Sequence, residues 1–276
     1  MKKVSKIAGS LGVAVAIATA PVLIRGKVAK EGEYPHIVRI TSNSGAGCTA
    51  AVVGPNAILT AAHCVNNGGT VTFRHFKMGS ARLKSEPCQH HPGYRANQTK
   101  DFALCKVNTS MPEPWASINT DHDFVKKNDE IILTGYGCVK SNGSGADGLL
   151  RIGTATVTRL PSNNNFDIVS SSGSALCYGD SGGPAFKNGR LISVNSRGNI
   201  RDTNYCSATH MADQSFMLPW SQSKGAALCG ITKSCNGEQE KPPPPKEGPA
   251  EEGGTWSKIV WWVIEAILKL IAELGN

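Results

Sequence analysis

Apolar positions along the first two hundred residues come in short runs rather than at helical spacing. Ile37-Val38-Arg39-Ile40, Cys48 to Val53, Ala57-Ile58-Leu59 and Val71-Thr72-Phe73 are β-rich and broken by Gly, Asn and Pro. Asp101-Phe102-Ala103-Leu104-Cys105-Lys106-Val107 alternates as a half-buried strand does. Thr109 to about Asp123, with Pro112 and Pro114, reads as a connection between two halves. A second series follows it: Ile131-Ile132-Leu133-Thr134, the alternating stretch Leu149 to Thr158, and Leu191-Ile192-Ser193-Val194. Short, regularly spaced strands with turn signals predict an all-β barrel or sandwich.

The two ends depart from this pattern. Met1 to about Ala20 places Lys2, Lys3 and Lys6 before the apolar run Ile7 to Ala18 and closes on small residues, the layout of a secretory signal peptide. Cleavage after Ala20 or after Ala18 fits, because Pro21 hinders the former. Residues 236–254 are Pro, Glu, Gly and Lys, with consecutive prolines from Pro242 to Pro245, a composition that forms an extended spacer and no core. Residues 255–276 then read as an extra helix on which Lys258, Glu265, Lys269 and Glu273 share one narrow stripe and apolar residues cover the remainder. Its apolar stretch from Ile259 to Leu274 reaches only about 24 Å at 1.5 Å per residue, short of a hydrocarbon core of about 30 Å. Glu265 and Lys269 would each cost about 2.5 to 3.5 kcal/mol at a bilayer centre. The segment is expected to lie at a membrane surface with Trp256, Trp261 and Trp262 near the headgroups, to self-associate, or to dock back on the barrels.

Composition narrows the compartment and the partners. Nine cysteines without paired zinc spacing read as disulfides made in an oxidising compartment, with at least one left over. Cys88 and Cys105 bracket a loop between antiparallel strands, Cys229 and Cys235 are close enough to pair locally, and Cys138 is the candidate for the leftover thiol. The net charge of +8 is spread without a dense Lys/Arg block in the central region, which speaks against nucleic-acid binding and allows acidic substrates or an anionic envelope. His90 and His91 are adjacent, but no second ligand pair sits at helical spacing, so no metal is expected. No organic cofactor is expected either.

Chemistry gathers at Cys177-Tyr178-Gly179-Asp180-Ser181-Gly182-Gly183-Pro184, where paired glycines leave one hydroxyl and free amide N–H groups open to a ligand. Upstream lie Thr60-Ala61-Ala62-His63-Cys64 and Asp101-Phe102-Ala103-Leu104, so the order is His, Asp, Ser. With these three motifs the sequence resembles the chymotrypsin/trypsin family of serine endopeptidases, in a secreted, bacterial-type form. The resemblance covers about Ile24 to Cys235. It implies two antiparallel six-stranded β-barrels with a short closing helix over Gln214 to Ala227 and the triad His63, Asp101 and Ser181 at their junction. Residues 24–115 would form the first barrel and 124–235 the second, after a signal peptide over 1–20 and a pro-segment over 21–23.

The family's activated N-terminus turns inward to pair with the Asp beside the nucleophile, which here implies Ile24 and Asp180. Arg25 stands where a small residue is usual, and the spacing from Ile24 to Pro35 is one residue short. The oxyanion hole would be the N–H groups of Gly179 and Ser181. The resemblance also implies bridges Cys48 to Cys64 and Cys177 to Cys206. Members that cut after Lys or Arg carry Asp six residues before the serine, and here that position is Ala175. A cationic side chain would lose hydration there without a counter-ion, so an apolar or aromatic residue is expected before the cut. Leu176, Tyr178, Ser196, Gly198 and Thr209 would line the substrate site, and Arg197, in place of an aromatic, would favour acidic residues upstream. The expected product is a secreted or envelope-located serine endopeptidase acting on polypeptides. The rivals are an inactive binding protein of the same fold, and a protease carrying a membrane-active helix.

Overall fold

The β-rich runs of the first half form one strongly curled sheet. The computed structural model describes residues 23, 26–140, 142–171, 173–199, 202–211 and 215–235. In chain order the first strands are β1 (Lys27–Val28), β2 (Ile37–Ser42), β3 (Gly47–Gly54), β4 (Ala57–Thr60), β5 (Val71–Phe73), β6 (Leu83–Lys84), β7 (Gln89–His90) and β8 (Ala103–Lys106). All but β1 share an antiparallel sheet in the order β6-β5-β2-β3-β4-β8-β7. The bridge Ser85↔Val107 draws the β6 and β8 ends together, so the sheet curls on itself without a continuous closing ladder.

The second half closes fully. Strands β9 (Glu130–Gly135), β10 (Arg151–Arg159), β11 (Asp167–Ser171), β12 (Pro184–Lys187), β13 (Arg190–Asn199) and β14 (Asp202–His210) follow the order β10-β11-β14-β13-β12-β9. The pairing of β10 with β9, from Arg151↔Gly135 to Thr156↔Glu130, completes a barrel and removes both edges. β1 crosses over to add to β10, so the start of the described chain is stitched to the second barrel. The helix α1 (Met217–Lys224) is shorter than the sequence expected: Pro219 is accommodated in its first turn, and Gly225 ends it in the left-handed region at φ 58°. Its Met217 and Trp220 join a core that runs from Ile40, Ile58 and Leu104 across to Phe186 and Val194. The barrels therefore meet over apolar contacts, and their relative placement is held by burial rather than by a linker alone.

Four disulfides tie loops to this frame: Cys48–Cys64, Cys88–Cys105, Cys138–Cys177 and Cys229–Cys235. The third differs from the expected Cys177–Cys206 bridge and from a free Cys138. After β9 the chain runs beside the Cys177 loop, where Cys138 N–H donates to Tyr178 O at 2.9 Å, and this brings the Cys138 sulfur to Cys177. Cys206 is the free thiol among the described residues and is buried. Its sulfur lies 3.3 Å from Leu176 N and 3.5 Å from Ser174 O, and burial pushes the thiol up to about 11, so it stays protonated. The bridges suit a protein matured in an oxidising compartment.

The chain divides into two units, Met1–Cys235 and Asn236–Asn276, and every described residue lies in the first. The expected signal peptide, spacer and C-terminal helix lie outside the described residues.

Candidate active site

Pairing of β4 with β8 sets Thr60 opposite Ala103, which brings the segments flanking these residues side by side. One segment is the 3-10 turn Ala62–Cys64 carrying His63, anchored by the Cys48–Cys64 bridge. The other carries Asp101. His63 N–H donates to Asp101 Oδ1 at 2.9 Å, and its ring Nδ1 lies 2.6 Å from Oδ2. The His63 side chain keeps 35% of its surface exposed while Asp101 keeps 3%, so the imidazole is oriented from the protein side and open on the other. Ser196 supplies a third contact, donating its hydroxyl to Asp101 Oδ2 at 2.6 Å. A bulge makes this possible: β13 pairs Asn195 with Ala208 and Arg197 with Ser207, leaving Ser196 extra and re-aimed. Burial alone would raise the Asp101 carboxyl, but the His63 and Ser196 hydrogen bonds outweigh it and hold the group below its ordinary value.

Ser181 arrives from the second barrel on a turn between Cys177 and β12. Its carbonyl accepts Thr49 N–H from β3 at 2.9 Å and lies 3.6 Å from the Cys64 sulfur, next in sequence to His63. The Ser181 loop thus rests against the His63 loop. Contact is so close at Gly182 that a Cβ there would stand 2.1 Å from Thr60 Oγ1 and 2.3 Å from Thr49 O. Within the loop, Asp180 N–H donates to Cys177 O, Gly182 N–H to Asn195 O and Gly183 N–H to Asp180 O. Among the described residues the N–H groups of Gly179 and Ser181 have no such backbone acceptor. Gly179 sits at φ 98°, a conformation that disfavours other residues. Thr49, which no sequence signal singled out, fastens the arrangement by donating its hydroxyl to Gly179 O at 2.7 Å and accepting Tyr136 N–H at 3.0 Å.

A half-exposed imidazole held by a buried carboxylate, next to a serine turn with free amides, is equipped for acyl transfer. Comparison with known proteins agrees. Residues 23–215 match the family model described as Trypsin. The chain belongs to the trypsin family. It is 29% identical over 194 residues to the serine protease SP24D of Anopheles gambiae, covering 62% of this chain and 70% of that protein. It is 28% identical over 195 residues to a trypsin-like protease of Streptomyces glaucescens, with 62% and 70% covered, and 26% identical over 203 residues to trypsin Blo t 3 of Blomia tropicalis, with 64% and 76% covered. The protein is accordingly a serine endopeptidase, and its substrates are polypeptides.

Around this trypsin-family centre, Asp180 is fully buried and receives Gly137 N–H and Cys177 N–H, each at 2.8 Å. Burial pushes its carboxyl up to about 7 despite those donors. Ile24, its expected partner, lies outside the described residues. Leu23, by contrast, is described and only 1% exposed, packed in the second-barrel core; a Cβ on Gly153 of β10 would stand 3.0 Å from Leu23 Cδ2 and 1.9 Å from Ser174 Oγ.

The expected substrate-site residues divide. Ala175 and Leu176 are buried, and a Cβ on Gly198 would come within 3.0 Å of Leu176, so these two walls stand close. Tyr178 is 68% exposed at the rim. Arg197 is half-open to solvent, but its guanidinium already bonds Gln98 O at 2.7 Å and the Asp167 carboxylate at 3.3 Å. Thr209 is buried beside Asp101, whose N–H its hydroxyl accepts at 3.2 Å, and β14 pairs there with β11 at Asp167↔Thr209.

Proposed function

We propose that the protein is an exported endopeptidase that cleaves through an acyl-enzyme, with Ser181 as nucleophile, His63 as base and then acid, and Asp101 as the group orienting the ring. The single observation behind this is the His63–Asp101 contact at 2.6 Å with Ser196 on the same carboxylate. Asp101 fixes the tautomer that leaves the outer ring nitrogen free to take the Ser181 proton. As the carbonyl carbon becomes tetrahedral, the N–H groups of Gly179 and Ser181 meet the developing oxyanion, each such donor stabilising the transition state by about 3 kcal/mol. His63 then returns the proton to the leaving amine, and water repeats the sequence to release the acid. Every step draws on side chains and backbone of this chain.

Specificity follows from what the site lacks in charge. With Ala175 at the base and Leu176 close to Gly198, a Lys or Arg would be stripped of water and left unpaired, whereas an apolar side chain of moderate width gains by burial. A peptide-library cleavage profile of the active protein is expected to show apolar residues before the cut, favoured over Lys and Arg by at least about a hundredfold. A trypsin-like profile would remove this reading of the pocket while leaving the triad untouched.

The residue that activates the site is proposed to be Leu23 rather than Ile24. Leu23 restores the spacing to Pro35 that Ile24 leaves one residue short, and its side chain is already lodged in the second barrel. A free amine at Leu23 would supply Asp180 with a paired cation, which it has from none of the described residues, and a buried charge without a partner is costly. N-terminal sequencing of the active form is expected to begin at Leu23, and a form that retains Val22 is expected to lose at least about tenfold in kcat. Full activity in protein beginning at Ile24 or at Val22 would exclude this. We propose further that residues 1–20 direct export and that 255–274 lie at a membrane surface or self-associate, the latter tested by liposome binding of full-length protein against protein ending at Asn236.

A further inference from the structure

The face of β11 turned toward the first barrel holds a buried carboxylate for which the mechanism above has no use. Asp167 heads β11, and its side chain is only 4% exposed. Its Oδ2 accepts the Ser207 hydroxyl and, at 3.3 Å, the Arg197 guanidinium, while the Thr209 hydroxyl lies 3.5 Å from Oδ1. Both of its longer contacts lead to the catalytic carboxylate. Thr209 accepts the Asp101 N–H at 3.2 Å, and Arg197 follows Ser196, the residue that donates to Asp101 Oδ2.

The segment 97–101 of the first barrel is docked on this corner. Arg197 donates to Gln98 O at 2.7 Å, Phe166 N–H to Thr99 Oγ1 at 3.0 Å, and Asn97 Nδ2 to Asn164 O at 3.0 Å. The Lys100 ammonium sits 4.4 Å above the Phe166 ring. These contacts come from the stretch that places Asp101, and they end on Arg197 of β13 and on the loop leading into Asp167.

We propose that Asp167 and Arg197 are a charge-neutral positioning pair for the Asp101–His63 couple, holding the 97–101 segment in place and keeping the net charge behind the imidazole that of Asp101 alone. This rests on the triad reading given above. Burying one member without the other would be costly, so the two are present as a unit. Each alone would also act on His63 through a low-dielectric interior.

Other charged and titratable groups face the couple from the packed elements. Lys100 precedes Asp101 and is held over Phe166. His90 comes from the 88–95 loop with its Nε2 at Val65 O, 2.8 Å away, and His91 packs its ring on Phe102. The Tyr94 hydroxyl is raised by burial, is raised further by Asp101 and is lowered by Arg197, which puts it within the same field. Substitutions at Asp167 or Arg197 leave all of these side chains in place, and of them the Tyr94 hydroxyl responds to loss of Arg197 by moving further up.

The test is the acid limb of the kcat/KM against pH profile, with active enzyme counted by an organophosphonate titrant. Asp167→Asn removes a negative charge and leaves Arg197 positive, so the imidazolium is disfavoured and the limb moves down by about half a unit. In this variant kcat is expected to fall about tenfold with KM changed less than about twofold, as for loss of an interaction that matters in the transition state. Arg197→Gln leaves Asp167 negative and moves the limb up by a similar amount. The double variant returns the limb to within about 0.2 units of wild type, because the charges cancel again.

A merely structural pair would lower the active fraction and leave the limb in place. Single variants that shift the limb in the same direction, or not at all, overturn the proposal. If Asp167→Asn does not fold, Arg197→Gln at its half-exposed position still has to move the limb upward. Wild-type protein whose hydrolysis survives Ser181→Ala would instead remove the triad reading itself.

Discussion

Protein carrying Ser181→Ala is expected to fold as the wild type does and to lose about a million-fold in kcat on any peptide the library identifies. Folding is spared because the turn is held by its backbone: Ser181 O accepts Thr49 N–H, and Gly182 and Gly183 donate within the second barrel, none of which uses the hydroxyl. Activity is lost because no neighbouring side chain can replace the nucleophile, and the oxyanion donors alone retain about a thousandfold over water. His63→Ala should cost about as much, and combining the two should cost little more, since base and nucleophile act in one step. Rates on a fluorogenic peptide, normalised to folded protein, measure this. A Ser181→Ala rate within about a hundredfold of wild type would require a different nucleophile.

The His63–Asp101 contact was legible because each residue sits in a short contiguous motif. His63 lies three residues beyond β4 and Asp101 two before β8, so two local signals become one site through a single strand pairing, Thr60↔Ala103. Strand β5 was read with its observed bounds, and β2, β3 and β9 to within about two residues, because each is an apolar, β-branched run with a breaker at its end. The misses share a cause. Strands β11 and β14 read Asp-Ile-Val-Ser-Ser and Asp-Thr-Asn-Tyr-Cys-Ser-Ala-Thr-His, with no clean alternation. Their interior face is supplied by Ile168 and Cys206, while on the face turned toward the first barrel polar side chains pair, as Asp167 does with Ser207 and Thr209. Hydropathy has no access to a buried polar network, so the supporting layer behind Asp101 was invisible until the register was known.

The disulfide framework shows the same limit from another side. Cys229–Cys235 spans a short segment and Cys88–Cys105 one loop, so sequence proximity pointed to these two, while Cys48–Cys64 was implied by the family resemblance. Cys138 and Cys177 are 39 residues apart, and whether Cys177 meets Cys138 or Cys206 depends on how the strand after β9 passes the nucleophile turn. That is a question of packing, on which spacing is silent.

Acid is expected to unfold this enzyme well above the pH at which ordinary carboxylates titrate. His36 is fully buried against Tyr34 and Phe186, and burial, then His75, brings it down to about 3. His210 is brought down to about 4 by burial and then by His122, and His75 is lowered by burial as well. In the unfolded chain each titrates near 6.5, so below that pH the unfolded state binds more protons and stability falls, by about 1.4 kcal/mol per pH unit for each buried histidine. Asp180 works the other way. Its carboxyl, pushed up to about 7, takes a proton in the folded state first, so acidification from neutrality favours folding until ordinary aspartates titrate. From His36 and His210 alone, this offsets one of the two in unprocessed protein, and between pH 7 and pH 4.5 a net loss of at least about 2 kcal/mol is expected in urea unfolding, with His75 adding to it. Once a free amine pairs with Asp180 the offset disappears, and the same interval should cost the processed enzyme at least about 5 kcal/mol. Urea midpoints of the two forms, taken at both pH values, separate the contributions. Processed enzyme as stable at pH 4.5 as at pH 7 would mean that the buried histidines are charged in the folded state or matched by new partners. A processed form no more acid-sensitive than the unprocessed one would mean that the N-terminal amine does not reach Asp180.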